Sequence, residues 1–473
     1  MEFTLIETGW ISILPPLMAI TLALITREVY SSLFLGLFSG MLIYAFASGG
    51  TLFSAVAMTF DMMCSKIADN AYIIMFLGML WAVVTLVSRS GGSQAYGRWA
   101  GKKLKSRRSA SLATAFLGML VFIDDGFNCL TVGTVMRPIT DRLKISREKL
   151  AYIIDATAAP VCIIAPLSSW AVAVASEVSE KNGFHVFLST IPYNFYAILT
   201  IAMVFYLCIT GHDFGPMKKA EERAIRGENT AYSESGQTDL EGKGRVIDLV
   251  LPIVVLIICA ILGMAYVGGF FSGTSFSEAI GYNPAAGLTL GAFAGFITAM
   301  LLYLPRRLMT PRQFMECIVS GIGSIVPPML ILILSWSLGG VCRQLIGTGY
   351  FISGFVSSSS LPLALLPFII FVIAALMSFS MGTSWGTFGM LIPIVTMICS
   401  AEGAGAYLIP TMGATLAGSV YGDHCSPMSD TTILSSTGAD CPHINHVETQ
   451  LPYATAVAVI CAVCYLVAGF VIG

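Results

Sequence analysis

Tyr421-Gly-Asp-His-Cys-Ser-Pro-Met-Ser-Asp-Thr-Thr-Ile-Leu-Ser-Ser436 decides how this chain folds. It crowds Asp423, His424, Ser426, Ser429, Asp430, Thr431 and Thr432 together, directly after the small apolar run 406–420. Carboxylates at membrane depth are costly and face a cavity, a partner or an ion. Gly422 and Pro427 are expected to break a helix here and free backbone N–H and C=O groups for a ligand. The stretch therefore reads as half of an ion or substrate site.

The rest of the chain supplies the membrane. Of its 473 residues, 56% are hydrophobic and 11% charged, with a mean hydropathy of +0.81. Soluble domains carry about 25% charged residues. An all-α polytopic membrane protein follows. The net charge of −2 says nothing about nucleic acid, but no basic domain or binding motif appears, so none is expected as a partner. No nucleophile–base pair or cofactor motif stands in the loops, so no enzyme is expected and no cofactor. The N-terminus carries Glu2 and Glu7 and no basic residue before Arg27, which suits a first membrane helix better than a cleaved signal. The twelve cysteines are scattered singly, mostly in apolar runs, and read as buried thiols. Cys441, His443 and His446 read as a polar loop, too few for a metal site.

A spanning helix needs about 20 apolar residues. Runs near 10–26, 28–48, 72–90, 149–176, 186–209, 247–268, 284–305, 325–346, 405–430 and 452–472 qualify, with 109–137 and 361–400 ambiguous. The polar segment 211–246 divides the chain into a first repeat, 1–210, and a second, 247–473. Ser-Leu-Phe-Leu-Gly-Leu-Phe-Ser-Gly at 32–40 resembles Gly-Leu-Thr-Leu-Gly-Ala-Phe-Ala-Gly at 287–295. The same shift of 255 pairs Trp81 with Trp336, Pro138 with Pro393 and Ala151-Tyr152 with Ala406-Tyr407. It also pairs Asn128 with Thr383 and Ser168 with Asp423.

Basic residues set the orientation. Arg89, Arg98, Lys102, Lys103, Lys105, Arg107 and Arg108 precede 109–137; Arg137, Arg142, Lys144, Arg147 and Lys149 follow it. A re-entrant hairpin keeps both groups cytoplasmic and puts its tip at Phe122–Phe127. The stretch 361–400 lacks such flanks and is expected to dip in from outside, with its tip at Ser380–Gly386. About five transmembrane helices plus one hairpin per repeat make the second repeat inverted relative to the first. Broken helices then meet at the midplane, and both termini lie outside the cell.

Four clusters converge on that midplane: Asp124, Asp125, Asn128 and Thr131; Asp155, Thr157, Ser168 and Ser169, with Pro160 and Pro166 as breaks; Ser380, Thr383, Ser384 and Thr387 beside Trp385; and Asp423, His424, Ser426, Ser429, Asp430 and Thr431. Sodium, a hard cation, prefers such oxygen ligands. A transported proton needs a carboxylate made less acidic by burial. Asp125 or Asp423 would serve both in turn, which is exchange. Each position also has a plainer reading: Asp124 as a helix cap, Asp155 as a buried hydrogen-bonded group, Asp430 as a solvated residue at the mouth, His424 as a satisfied polar side chain, Trp170 and Trp385 as packing.

The stretch Phe122–Asp141 (Phe-Ile-Asp-Asp-Gly-Phe-Asn-Cys-Leu-Thr-Val-Gly-Thr-Val-Met-Arg-Pro-Ile-Thr-Asp) resembles the NhaC-type sodium/proton antiporters of the ion transporter superfamily. So do Ser146–Pro160, Gly382–Thr387 and Tyr421–Ser436, and the likeness covers nearly the whole chain. The resemblance implies secondary active transport by elevator-like movement of the hairpin domain in the cell (inner) membrane. It also implies a homodimer through the outer helices 28–48 and 284–305. Gly126 departs from the bulky aromatic expected in many relatives and leaves room beside Asp125. Two functions stay open: an antiporter exchanging Na+ for H+, and a Na+- or H+-coupled transporter of a small amino acid or organic acid. In the second, hairpin-tip N–H groups with Thr383 and Ser384 bind the carboxylate.

Overall fold

The computed structural model describes residues 4–92, 95–96, 103–178, 183–227, 244–358 and 362–472. Residues 228–243 of the expected linker, and Arg98 and Lys102 of the first basic group, lie outside the described residues. Among those described, all regular structure is helical, and nine helices are long and apolar enough to cross a membrane.

The first half runs α1 (Leu14–Thr26), α2 (Val29–Ala47), α3 (Leu52–Asp69), α4 (Ala71–Arg89), the hairpin α5–α6 (Arg107–Leu120, Asp125–Arg142), the broken helix α7–α8 (Arg147–Cys162, Ser169–Glu177), then α9 (Gly183–Thr190), α10 (Phe195–Thr210) and the polar α11 (Gly215–Arg226). The second half runs α12 (Val246–Val267), α13 (Phe276–Tyr282), α14 (Pro284–Tyr303), the long α15 (Pro311–Gly340), α16 (Thr348–Ser358), a second hairpin α17–α18 (Leu366–Met381, Ser384–Cys399), a second broken helix α19–α20 (Leu408–Cys425, Asp430–Ala439) and α21 (His443–Ile472). Packing partners are exchanged between the halves. Helix α6 packs on α20 and α18 on α8; α10 packs on α19 and α21 on α7; α2 packs on α15 and α14 on α4.

Both ambiguous stretches are hairpins. Arg142, at the end of α6, donates to the Leu104 carbonyl just before α5 (3.1 Å), so the chain returns to the end it left. Helix α7 starts beside it, where Arg147 binds Asp141 (3.4 Å). After its break α8 ends at Glu177, next to a cavity that Val178 shares with Cys399 and Ser400 at the far end of α18. One broken helix thus joins the open ends of the two hairpins, which enter from opposite ends of the molecule.

Several boundaries differ from expectation. The runs 149–176 and 405–430 are not single spans; each is interrupted, at 163–168 and 426–429. Pro166 and Pro427 lie in those interruptions, whereas Pro160 and Gly422 stay helical. Pro160 removes one backbone donor without ending α7. Gly422 is needed because a Cβ there would lie 2.2 Å from the Ala375 carbonyl oxygen. Helix α3 was missed because Asp61, Lys66 and Asp69 lower its hydropathy. Of the expected polar loop, Cys441 precedes α21 while His443 and His446 lie in its first turns, with His446 fully buried. The uniform shift of 255 also fails at the hairpin tips. Helix caps pair Asp124 with Thr383 (259 apart) and Ser168 with Ser429 (261 apart), because loop lengths differ between the halves. Gly36 and Gly291 seat Ala19 and Ala260 of the same chain, so these glycines are accounted for without a second subunit.

Candidate functional site

Four helices, α6, α8, α18 and α20, begin at one level in the middle of the fold, each with a polar cap. Asp124 caps α6 by accepting from the Phe127 N–H (2.9 Å) and takes a second bond from the Ser169 hydroxyl (3.3 Å). Ser168 caps α8 at the Ala171 N–H (3.1 Å) while its hydroxyl donates to the Cys162 carbonyl (2.6 Å). Thr383 caps α18 at the Gly386 N–H (3.4 Å), and Ser429 caps α20 at the Thr432 N–H (3.3 Å). Each helix start carries about half a positive charge. Their convergence partly offsets the acidic side chains that follow the caps.

The second hairpin turns at Gly382, whose φ of +67° suits glycine. A Cβ there would also lie 2.7 Å from the Met428 backbone. This contact presses the tip onto the break in α19–α20 and aligns Ser384 with Asp423. The Ser384 hydroxyl donates to Asp423 Oδ2 (2.7 Å), and its backbone N–H reaches the same oxygen (3.3 Å). Asp423 Oδ1 is buried with no protein partner.

Asp423 lines a cavity of about 300 Å³. One wall comes from Tyr30 of α2, Trp81 of α4 and Ser324, Pro327, Pro328 and Ile331 of α15. The other wall comes from the hairpin tips and α19–α20: Asp125, Gly126, Thr383, Ser384, Trp385, Asp423, Asp430 and Thr431. Three carboxylates and no lysine or arginine stand among the described lining residues. Such a surface attracts cations. A Cβ on Gly126 would only touch Trp81 (3.4 Å) and Leu434 (3.5 Å), but a larger side chain there would enter the cavity that Gly126 lines.

Seven of the sixteen expected site residues share this cavity: Asp125, Thr383, Ser384, Trp385, Asp423, Asp430 and Thr431. The other nine lie outside its lining. Asp124, Ser168 and Ser169 hold the helix starts, as the capping reading of Asp124 anticipated. The Thr157 hydroxyl donates back to the Ile153 carbonyl (2.7 Å), and Ser426 Oγ accepts from the Met428 N–H (3.3 Å). The buried Thr131 hydroxyl has no protein partner. Asn128 is a staple: its amide reaches the carbonyls of Gly118 (2.6 Å), Val121 (3.2 Å) and Thr157 (3.1 Å), tying the first tip to α7. Leaving such carbonyls unpaired costs about 1–3 kcal/mol. Asn128→Ala is therefore expected to lower the melting temperature in detergent, and an unchanged melting curve would refute the staple. Asp155 and His424 face a separate buried network: Gln450 donates to Asp155 Oδ2 (2.7 Å) and to the His424 carbonyl (2.8 Å). His446 Nε2 lies 3.3 Å from Asp155 Oδ2, and His424 Nε2 stops 3.9 Å from Asp155 Oδ1. Tyr30, Trp81 and the α15 prolines were not anticipated; they are apolar-run residues that only packing brings to the cavity.

The geometry meets an independent comparison. Residues 171–470 match the model of the Na+/H+ antiporter family. The chain belongs to that family. A Haemophilus influenzae protein described as uncharacterized is 38% identical over 97% of this chain and 91% of its own length. The malate-2H(+)/Na(+)-lactate antiporter of Bacillus subtilis is 34% identical over 39% of each chain. The Alcanivorax borkumensis YdaH transporter has a similar fold, with a TM-score of 0.63 over 88% of both chains at 11% identity. This member of the Na+/H+ antiporter family is thus a multi-pass membrane protein of a secondary-transporter class.

Proposed function

We propose that the protein exchanges Na+ for H+ by alternating access, with Asp423 as the central cation-binding carboxylate and Asp125 and Asp430 lining the approach. The reading rests on one observation: Ser384 holds one oxygen of Asp423, the other is unpartnered, and the charged side chains among the described lining residues of the adjoining cavity are all acidic. A proton or a Na+ on Asp423 neutralises it; both at once are excluded. Neutralisation lowers the cost of carrying the site across an apolar layer. The wall of α2, α4 and α15 acts as the scaffold in this scheme, and the hairpins with the broken helices act as the moving body. The positive-inside tendency supports a cytoplasmic side carrying Arg107, Arg142, Arg147, Arg306 and Arg312, which in this reading leaves both termini outside the inner membrane. In proteoliposomes, an outward proton gradient is expected to drive uptake of 22Na+. Wild-type protein that moves no Na+ under a proton gradient of either sign would sink the proposal.

A second reading follows from size. About 300 Å³ exceeds what a dehydrated Na+ fills. A small amino acid fits the charges, its ammonium at a carboxylate and its carboxylate at the starts of α6 and α18. The antiporter from Bacillus subtilis, which by its description handles malate and lactate, supports an organic cargo. Gly126→Leu separates the two. Overfilling a packed site costs about 1–3 kcal/mol, or about 10- to 100-fold in binding. Solute transport is expected to fall by that factor while Na+/H+ exchange continues; an unaltered solute rate would remove Gly126 from the binding space.

A further inference from the structure

At the end of the molecule opposite the basic flanks lies a larger cavity, about 450 Å³, that the exchange at Asp423 does not use. Its lining draws on both bodies. Val178, just past α8, Thr396, Met397 and Ser400 at the far end of α18, and Leu408 of α19 belong to the hairpins and broken helices. Arg343 belongs to the turn that continues α15, and Gly349 and Tyr350 to the start of α16.

Arg343 is the only charged side chain among the described lining residues. It sits in a π turn, Val341–Leu345. Such turns are rare and recur at functional sites. Gly339, one turn earlier, leaves room for the guanidinium, since a Cβ there would lie 3.1 Å from Arg343 Nη2. Yet its fork of N–H donors is almost unused. Nη1 reaches the Glu177 carbonyl at 3.5 Å, the limit of a hydrogen bond, and Nε has no protein partner. Glu177, fully buried and not part of the lining, balances the charge at longer range. Neither of its carboxylate oxygens has a hydrogen-bond partner, so the two side chains do not close on each other.

A guanidinium pairs well with the two oxygens of a carboxylate, through parallel N–H donors. The walls near it are largely apolar, with Val178, Met397 and Leu408. Such walls suit an apolar body, and in weakly polar surroundings an ion pair is stronger than in water. One cation without a second suits one carboxylate rather than two.

We propose that this cavity binds a small monocarboxylate with an apolar body, at a site separate from Asp423, and that the bound anion holds the moving body against α15. The second part rests on the scaffold and moving body of the exchange scheme. The carboxylate sits on Arg343 of the scaffold, and the apolar body packs on Val178, Met397 and Leu408, which travel. Sliding one past the other breaks these contacts, so the occupied protein exchanges more slowly.

Benzoate is the probe, and benzamide, of the same shape but uncharged, is the control. In detergent, benzoate is expected to raise the melting temperature of the wild-type protein along a saturating dose curve. Benzamide is expected to bind about tenfold or more weakly, and Arg343→Gln to weaken benzoate by a similar factor. Gly349→Leu keeps Arg343 and fills the cavity, because a Cβ there meets nothing nearer than Met397 at 3.9 Å. It is expected to abolish the benzoate shift. In proteoliposomes, benzoate on both sides is expected to slow wild-type 22Na+ uptake several-fold and Arg343→Gln far less. That comparison cancels any loss of the proton gradient to the weak acid. A wild-type melting curve unmoved by benzoate overturns the site, as does a benzamide shift equal to that of benzoate. So does wild-type affinity in Arg343→Gln, or a benzoate shift kept by Gly349→Leu. Equal slowing of wild type and Arg343→Gln overturns the clamp. Wild-type protein that moves no Na+ without benzoate refutes instead the exchange scheme, while the melting curves still decide the site.

Discussion

Proteoliposomes carrying Asp423→Asn are expected to take up 22Na+ no faster than empty liposomes under a proton gradient. The amide keeps the size of the side chain and one bond to Ser384, so the second hairpin stays seated. What it loses is the charge of the carboxylate, whose other oxygen has no protein partner. Removing one partner of a desolvated ion pair costs about 3–5 kcal/mol, which is a loss of about 100-fold or more in Na+ affinity. The asparagine also has no titratable proton to exchange. Ser384→Ala is the graded control. It removes the 2.7 Å bond but not the carboxylate, and a hydrogen bond to a charged group is worth about 1.5–3 kcal/mol, so affinity falls about tenfold or more without vanishing. Asp423→Asn protein that transports Na+ at the wild-type rate would remove this residue from the mechanism.

A large loss of stability is expected at Gly133→Val. Helices α6 and α20 cross backbone to backbone, and a Cβ on Gly133 would lie 2.5 Å from the Gly438 carbonyl carbon. No rotamer of a neighbour relieves that contact, because the obstacle is main chain. Overpacking costs about 3 kcal/mol or more where the backbone must shift, or about 3 °C or more in melting temperature for a chain of this length. Moving α20 away from α6 also displaces Asp430 and Thr431 from Asp125, so transport falls with stability. A valine variant that melts like wild type would mean that the two helices do not cross at these glycines.

The apolar runs, the basic flanks of 109–137 and the cap residues were legible from local pattern, because each depends on neighbours a few positions away. So were the hairpin tips, where Asp124 and Thr383 begin helices as their residue types favour. The Asp155 cluster was not legible. His446 and Gln450 are four apart, a spacing that puts them on one helix face, and that was the available signal. Nothing in the spacing says that this face meets Asp155, 291 and 295 residues away. The shift of 255 carries the start of α2 onto that of α14, but the hairpin and broken helices begin 259 to 261 residues apart, since loop lengths between the helices differ.

By itself, then, the sequence determined a helical membrane protein with two similar halves, hairpins that return to the end they left, and acidic residues placed where helices begin. These follow from hydropathy, charge and capping, which act over a few residues. Only the tertiary structure decided that Asp125, Asp423 and Asp430 share one cavity, that Asn128 is a staple, and that Asp155 turns to two histidines instead. Those outcomes depend on which helix faces meet across the two halves, and close packing settles that through glycine contacts and helix crossings that local pattern does not encode.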